Sequence, residues 1–255
     1  MRADRVLERL GGVAGAATLR RHTSRGRLRV ALARGTVVRD ARGRYSLPGA
    51  DEARRAANRL SGVLCCDSAA RHLGWELKQQ PERPWVAVPR KRHVEGNRRG
   101  DARLWYVDLS PDDLQGLATA PGRTVMDCAS RMPFDEALAI ADSALRHGDV
   151  TKPQLLDLAE RVPSRYRARC RRVAREADGR AANPFESVLR AIALEVDGLD
   201  VEPQVWLDGV GRPDLVDLRR RLVIEADSFE WHGKRRALKR DCERYNAFIC
   251  RGWLV

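Results

Sequence analysis

The stretch "RADRVLERLGGVAGAATLRRHTSRGRLRVALARGTVVRDARGRYSLPG", residues 2–49, decides how the rest of the chain is read. Val6, Leu7 and Leu10 share one helical face, and Gly11 and Gly12 stop that helix. A second short helix fits Ala16 to His22. The "TSRG" turn offers Ser24 as an N-cap. The spacing of Leu28, Ala31 and Leu32 then predicts a third helix over Arg27 to Arg34. "TVV" and "RYSLP" read as two short strands on either side of an "RDARG" turn. Three helices followed by a β-hairpin is the order of a winged helix-turn-helix. In that architecture the third helix enters the major groove, so Arg25, Arg27, Arg29 and Arg34 are expected to meet phosphates or base edges.

Charge points the same way. The chain has 255 residues and a net charge of +13. Residues 1–50 hold twelve Arg, no Lys and only three acids (Asp4, Glu8 and Asp40), which concentrates +9 of that charge at one end. A surplus of this kind favours a polyanionic partner, with nucleic acid ahead of an acidic membrane surface. The bland counterpart is an arginine-rich composition that only keeps the chain in solution. Hydrophobic residues make up 43%, enough for a real core and too many for wholesale disorder. No signal-like N-terminus and no run of about 18 apolar residues are present, so the expected setting is soluble and cytoplasmic, with no membrane partner. The six cysteines (65, 66, 128, 170, 242 and 250) form no C-x-x-C pair and have no histidine at zinc spacing, so most are expected to be buried free thiols.

Residues 51–180 read as a mainly helical α/β middle region. "DEARRAANRLSGVLCCDSAARHLG" is helical with a break near Ser61-Gly62, and "PWVAVPR" and "RLWYVDLS" are strands separated by a polar loop. Four helix candidates follow, of which "FDEALAIADSALRHG" is the cleanest, with Gly148 past its end. No catalytic constellation is visible here, and structural roles are expected for His72, His93 and His147.

From Asn183 the pattern changes, and residues 181–255 are expected to form a further domain. "NPFESVLRAIALEV" has Asn183 as cap and Pro184 in its first turn. "VEPQVWLD", "PDLVDL" and "RLVIEAD" read as strands, "GKRRALKRDCERYNAFICRG" as a helix, and "WLV" as the start of another strand. Side chains alternate along a strand, so Glu225 sits between Ile224 and Ala226 in an apolar segment. A carboxylate there must be paired or bind a cation, or its pKa rises. Asp214 lies on the preceding strand and is placed to converge with Glu225 on one divalent cation, and Glu186 can reach the same point from the helix before. Oxygen-only ligation suits Mg²⁺ or Mn²⁺. For Asp208 and Asp217 a solvated surface hairpin suffices.

The order of a helix Glu, a "PD" strand, an acid on the next strand and a basic helix resembles the PD-(D/E)xK nuclease superfamily. The segment "ADSFEWHG" is similar to one in the very-short-patch repair endonucleases. Related endonuclease-domain proteins share the layout that here comprises Glu186, Asp214, Glu225, Asp227, His232, Asp241, Arg244, and Gly252 with Trp253. The resemblance covers roughly residues 183–255. It implies a restriction-endonuclease-like mixed sheet flanked by helices, a catalytic set of Asp214, Glu225, Asp227, His232 and Lys234, support from Glu186, Asp241 and Arg244, and metal ligation by Asp214, Glu225 and Glu186. Asp227 stands where the superfamily usually has Lys. The missing cation would have to come from Lys234, Arg235 or Lys239, or His232 would act as base. Related chains continue past "GW", so this one is expected to end early. The N-terminal part resembles the winged-helix domain of AbiEi-type antitoxins.

These readings give an α/β (α+β) protein with divisions at 1–50, 51–180 and 181–255. The expected function is metal-dependent phosphodiester hydrolysis on DNA, with Mg²⁺ or Mn²⁺ as cofactor. The rival is a non-catalytic antitoxin or transcriptional regulator, in which a degenerate nuclease fold serves dimerisation or DNA wrapping. DNA is the partner in both, and a homodimer is compatible with both.

Overall fold

In the computed structural model the opening stretch folds as α1 (Ala3–Arg9), β1 (Val13–Gly15), α2 (Ala16–His22), α3 (Arg25–Ala33), β2 (Val38–Ala41) and β3 (Arg44–Ser46). The structure describes residues 1–226 and 235–255, of which 97 and 235–241 are described by backbone alone. Gly11 and Gly12 adopt φ of +77° and +91°, a left-handed backbone that ends α1 at little steric cost. The Ser24 hydroxyl accepts from Arg27 N and caps α3, so that helix begins two residues earlier than its apolar spacing alone predicts. The strands form an antiparallel sheet in the order β1-β3-β2. Strand β1, only three residues long, was not legible as a strand. Leu7, Leu19, Ala31 and Val37 are buried together, with Leu28 and Leu32 packed against them. This is the winged helix-turn-helix the sequence implies.

The chain divides into two compact units, Met1–Gly74 with Gln80–Thr124, and Trp75–Gln79 with Val125–Val255. The first unit continues after the wing with α4 (Glu52–Leu60), β4 (Val63–Leu64), α5 (Cys66–His72), β5 (Trp85–Val88), α6 (Gly96–Arg99), β6 (Arg103–Tyr106), β7 (Leu114–Gln115) and β8 (Ala118–Thr119). The helix break falls at Ser61-Gly62, as the sequence suggests, and a strand follows it. A Cβ on Gly62 would lie 2.4 Å from Ala87 O, so only glycine admits that approach of backbones. The five strands run β6-β5-β4-β8-β7, with β5–β6 and β4–β8 parallel and the other pairs antiparallel. Strands β7 and β8, of two residues each, and the four-residue α6 are too short to show a pattern in the sequence. Helix α4 packs Ala56, Ala57 and Leu60 onto Leu64, Val86 and Val88.

The later helices are α7 (Pro121–Arg131), α8 (Phe134–Arg146), α9 (Lys152–Arg161), α10 (Ser164–Glu176) and α11 (Pro184–Ala193). Helix α8 is buried from Ala137 to Ala144, and α11 packs on it. At that contact Arg190 of α11 makes a two-pronged ion pair with Asp142 of α8, at 2.8 and 2.6 Å, with both side chains buried. The chain ends with β9 (Glu202–Pro203), β10 (Leu215–Asp217), β11 (Leu222–Ile224) and α12 (Arg235–Cys250). These strands form an antiparallel sheet in the order β11-β10-β9, and Leu254 makes an isolated parallel bridge to Leu222 at its edge. Val216, Val223 and Phe248 form its core on one side, and Leu215, Ala193 and Val201 on the other. The strand expected over 201–208 is reduced to two residues because the chain turns at Gln204, whose φ is +56°. The whole is a mixed α+β fold. Among the described residues no helix is long and apolar enough to cross a membrane.

One expectation is corrected here. Asp217 is not a solvated hairpin acid but is fully buried in β10. It accepts from Arg220 N at 2.9 Å and Asp200 N at 3.1 Å, and these backbone donors hold its carboxyl below the usual range. Asp208 is exposed, as expected. The thiols of Cys65, Cys66, Cys128 and Cys170 are buried and not in disulfides, while Cys242 and Cys250 are exposed.

Candidate functional site

Two constellations stand out, one in each unit. In the first, α3 turns Leu28, Ala31 and Leu32 into the core. That leaves Arg25, Arg27 and Arg29 exposed along the helix, with Arg34 exposed just past its end. None of the four has an acidic partner among the described residues. The three acids of residues 1–50 are all engaged elsewhere. Asp4 pairs with Arg2 at 2.7 Å and Glu8 with Arg5 at 2.8 Å. Asp40 of β2 pairs with Arg55 of α4 at 2.6 Å and is almost fully buried. Arg39 and Arg42, on the wing, are exposed as well. The positive surface is therefore not neutralised from within, and the wing is clamped from behind. Asn58 of α4 donates to Tyr45 O at 3.1 Å, and Arg54 donates to Gly11 O at 2.8 Å and to His72 Nδ1 at 3.3 Å. His72 thus has a structural partner, and burial beside Arg54 lowers its pKa. The clamp residues were missed in the sequence because an arginine-rich helix reads as solvated until its partners are placed.

In the second unit, Asn183 and Glu186 cap α11 reciprocally. Asn183 Oδ1 accepts from Glu186 N at 3.0 Å, and Asn183 Nδ2 donates to Glu186 Oε1 at 2.8 Å. Ala182 N also donates to Glu186 Oε2, at 2.8 Å. The side chain is 6% exposed. Asp214 precedes β10, and the antiparallel register that pairs Leu215 with Ile224 sets it beside Glu225. Its Oδ2 accepts from Ala226 N at 2.7 Å. Gln204 connects the two acids, because its Nε2 lies 3.1 Å from Glu186 Oε2 and 3.3 Å from Asp214 Oδ1. Burial, with the Asp214 charge adding to it, raises the Glu186 pKa. Glu225 is largely buried and pairs with Arg244 of α12 at 2.9 Å.

The structure thus brings Glu186 to Asp214 through Gln204, and Glu225 to Arg244. Gln204 was not singled out from the sequence, since a lone glutamine after a proline carries no signal. Among the described residues no group of three or more His, Cys, Asp and Glu side chains is placed to share a metal ion. Asp227, His232 and Lys234 lie outside the described residues, as does the side chain of Asp241. The arrangement can order α11 against the sheet through carboxylates bridged by an amide. It can also present two carboxylates to a cation if the Gln204 amide turns its oxygen towards them.

The fold and these sites define a winged-helix protein whose third helix is lined with exposed arginines, followed by an α/β region and a carboxylate-bearing sheet. The AbiEi antitoxin C-terminal domain family matches residues 62–174, which run from just past α4 into the last turn of α10. The antitoxin likeness found by comparison thus falls on the middle region, where the sequence alone suggested no family. Two proteins of Mycobacterium tuberculosis, the uncharacterized protein MT2308 (strain CDC 1551 / Oshkosh) and the uncharacterized protein Rv2248 (strain ATCC 25618 / H37Rv), are each 32% identical to this chain over 145 residues. The match covers 54% of this chain and 53% of theirs, so the chain spans about half the length of these curated relatives. The crystal structure of RV2827C protein from Mycobacterium tuberculosis aligns over 74% of this chain and 80% of that one, at 17% identity and a TM-score of 0.39.

Proposed function

We propose that this protein is an antitoxin-type DNA-binding regulator that acts in the cytoplasm, with the winged helix as its DNA reader and the middle region as the antitoxin module. One observation carries the reading. An AbiEi antitoxin C-terminal domain follows directly on a winged helix whose α3 displays Arg25, Arg27 and Arg29 without acidic partners. Helix N-terminal residues and exposed arginines of a helix-turn-helix contact bases and phosphates. A homodimer on a two-fold symmetric operator fits this mode of binding. The test is retention of duplex DNA by the purified protein over a salt series. Neutralising Z phosphates gives a slope of log K against log salt of about −0.9Z. A flat response would reject the reading.

A second reading, metal-dependent cleavage of DNA phosphodiesters, is favoured by the convergence of Glu186 and Asp214 on Gln204 with Glu225 on the adjoining strand. The amide nitrogen between two carboxylates stands where a cation would balance them, and an amide can present its oxygen instead. On this reading Glu186, Asp214 and Glu225 would hold Mg²⁺ or Mn²⁺, and the ion would supply Lewis-acid chemistry towards water and phosphate. Asp227, His232 and Lys234 belong to the same proposal as catalytic groups, with support from Asp241 and Arg244. Mg²⁺ should raise the melting temperature of the wild type, since a ligand that binds only the folded state stabilises it. Glu225→Gln should remove that shift together with any nicking of plasmid DNA. Nicking that persists undiminished in Glu225→Gln would reject the site.

A further inference from the structure

Residues 90–99, between β5 and β6, carry Arg90, Lys91, Arg92, His93, Arg98 and Arg99 against a single acid, Glu95. Glu95 is taken by Arg98 at 3.4 Å, while Arg90 N donates to Asp108 Oδ1 at 3.0 Å and its guanidinium makes a loose, exposed contact with Asp108 at 4.0 Å. Lys91 and Arg92 have no acidic partner among the described residues. Position makes this more than a solvated loop. Arg92 Nη1 donates to Ser61 O, at the end of α4, at 3.0 Å. One turn earlier on α4, Asn58 holds the Tyr45 carbonyl of the wing, and Arg55 holds Asp40 of the wing's other strand. The last turns of α4 therefore fix the wing and the loop to one support.

Arg44, beside Tyr45 on β3, completes the cluster. Its guanidinium lies against Gly15, where a Cβ would come within 3.0 Å of Nη1. No ion pair engages it among the described residues. Burial, and after it the neighbouring charge of Arg92, pulls the Arg44 pKa below its ordinary value. Two guanidinium groups that feel each other's charge with no carboxylate to offset it repel, and a bound anion relieves that repulsion. A phosphodiester supplies that anion and is matched to the guanidinium fork.

We propose that the 90–99 loop is a second phosphate-gripping element continuous with the wing, so that duplex DNA is held by the winged helix and by this loop together. The proposal rests on the DNA-binding reading above. Arg44 and Arg92 would each offer a guanidinium to the phosphate backbone, and Lys91 would add an ammonium beside them. The loop adds grip and register without reading bases, since phosphate contacts carry no sequence information directly.

The experiment follows fluorescence anisotropy of a labelled mixed-sequence duplex of about three helical turns, titrated with full-length protein across a KCl series. Arg92→Gln keeps a donor for Ser61 O and loses the charge. It should lower the magnitude of the salt slope by about 0.9, and Lys91→Gln with Arg92→Gln by about 1.8. If Arg92→Gln disturbs folding, the exposed Lys91→Gln carries the test alone, with an expected change of about 0.9. Wild-type binding whose slope falls in Arg27→Ala/Arg29→Ala but stays unchanged in the loop variants overturns this proposal and leaves the DNA-binding reading standing. Absence of salt-dependent binding by the wild type overturns both.

Discussion

Helices α3 and α10 look alike in the sequence and differ in what their arginines do. Helix α3, "RGRLRVALA", has Arg25, Arg27 and Arg29 turned to solvent without acidic partners. Helix α10, "SRYRARCRRVARE", is at least as basic, yet most of its guanidinium groups are engaged within the fold. Arg169 donates to Ser130 O in the last turn of α7 and to Met132 O just past it. Arg171 pairs with Glu160 of α9, and Arg172 pairs with Glu195 while stacking over Phe134 at 3.8 Å. Arg167 donates to Val162 O. Density of arginine therefore does not mark an interface. The mark is arginine that the protein itself leaves uncompensated, because a partnered guanidinium has given up its hydration and its charge to a neighbour.

The largest effect should come from α3. Replacing Arg25, Arg27, Arg29 and Arg34 together with Ala should lower the salt slope of DNA binding by roughly 3 to 4 units with little change in melting temperature. Replacing Arg165, Arg171 and Arg172 of α10 should leave that slope as it was. If the α10 variant loses the slope instead, the comparison is wrong.

Next comes the most deeply partnered arginine, Arg190. With Asp142 fully buried opposite it, Arg190→Ala leaves an uncompensated charge in the interior. It should cost about 3–5 kcal/mol of unfolding free energy, read from denaturant melts. A loss well under 1 kcal/mol would mean that solvent reaches Asp142.

Smaller effects are expected from the exposed pairs of α10. Arg171→Ala breaks a surface pair whose members are both about half exposed, so it should cost about 0.2–1 kcal/mol, and less at high salt. A salt-independent loss would show that packing, not charge, is the contribution.

The smallest is a pH effect in the second unit. Glu76 is pushed upward by burial, but hydrogen bonds from Ser143 and Arg146 outweigh this and hold its carboxyl at about 2, against an ordinary 4.5. An acid with a depressed folded-state pKa contributes stability that is present above its ordinary pKa and lost as pH falls. Melting temperature should therefore drop between about pH 4.5 and 2, and Glu76→Gln should shallow that drop. Half of the Glu76 side chain is exposed, which keeps the effect small.

The winged helix was legible because its signals are local: a glycine pair after α1, a serine cap before α3, and apolar residues at helical spacing. Asn183 and Pro184 marked the start of α11 for the same reason. Legibility failed where pairing is long-range. The short strands β1, β4, β7 and β8 exist only because neighbours complete them. Asp217 read as a surface acid because nothing local reveals that Asp200 N and Arg220 N close over it. Glu186 and Asp214 could be named from the sequence, but the glutamine that joins them could not.

The sequence by itself determined the order of helices, the concentration of positive charge at one end, and the carboxylates carried at the chain's other end, because propensity, capping and composition are properties of neighbouring residues. The tertiary structure alone decided which arginines remain for a partner and which acids are already satisfied. Compensation of a charge depends on what lies within a few ångströms of it in space, and Asp40 with Arg55 and Asp142 with Arg190 lie 15 and 48 residues apart along the chain.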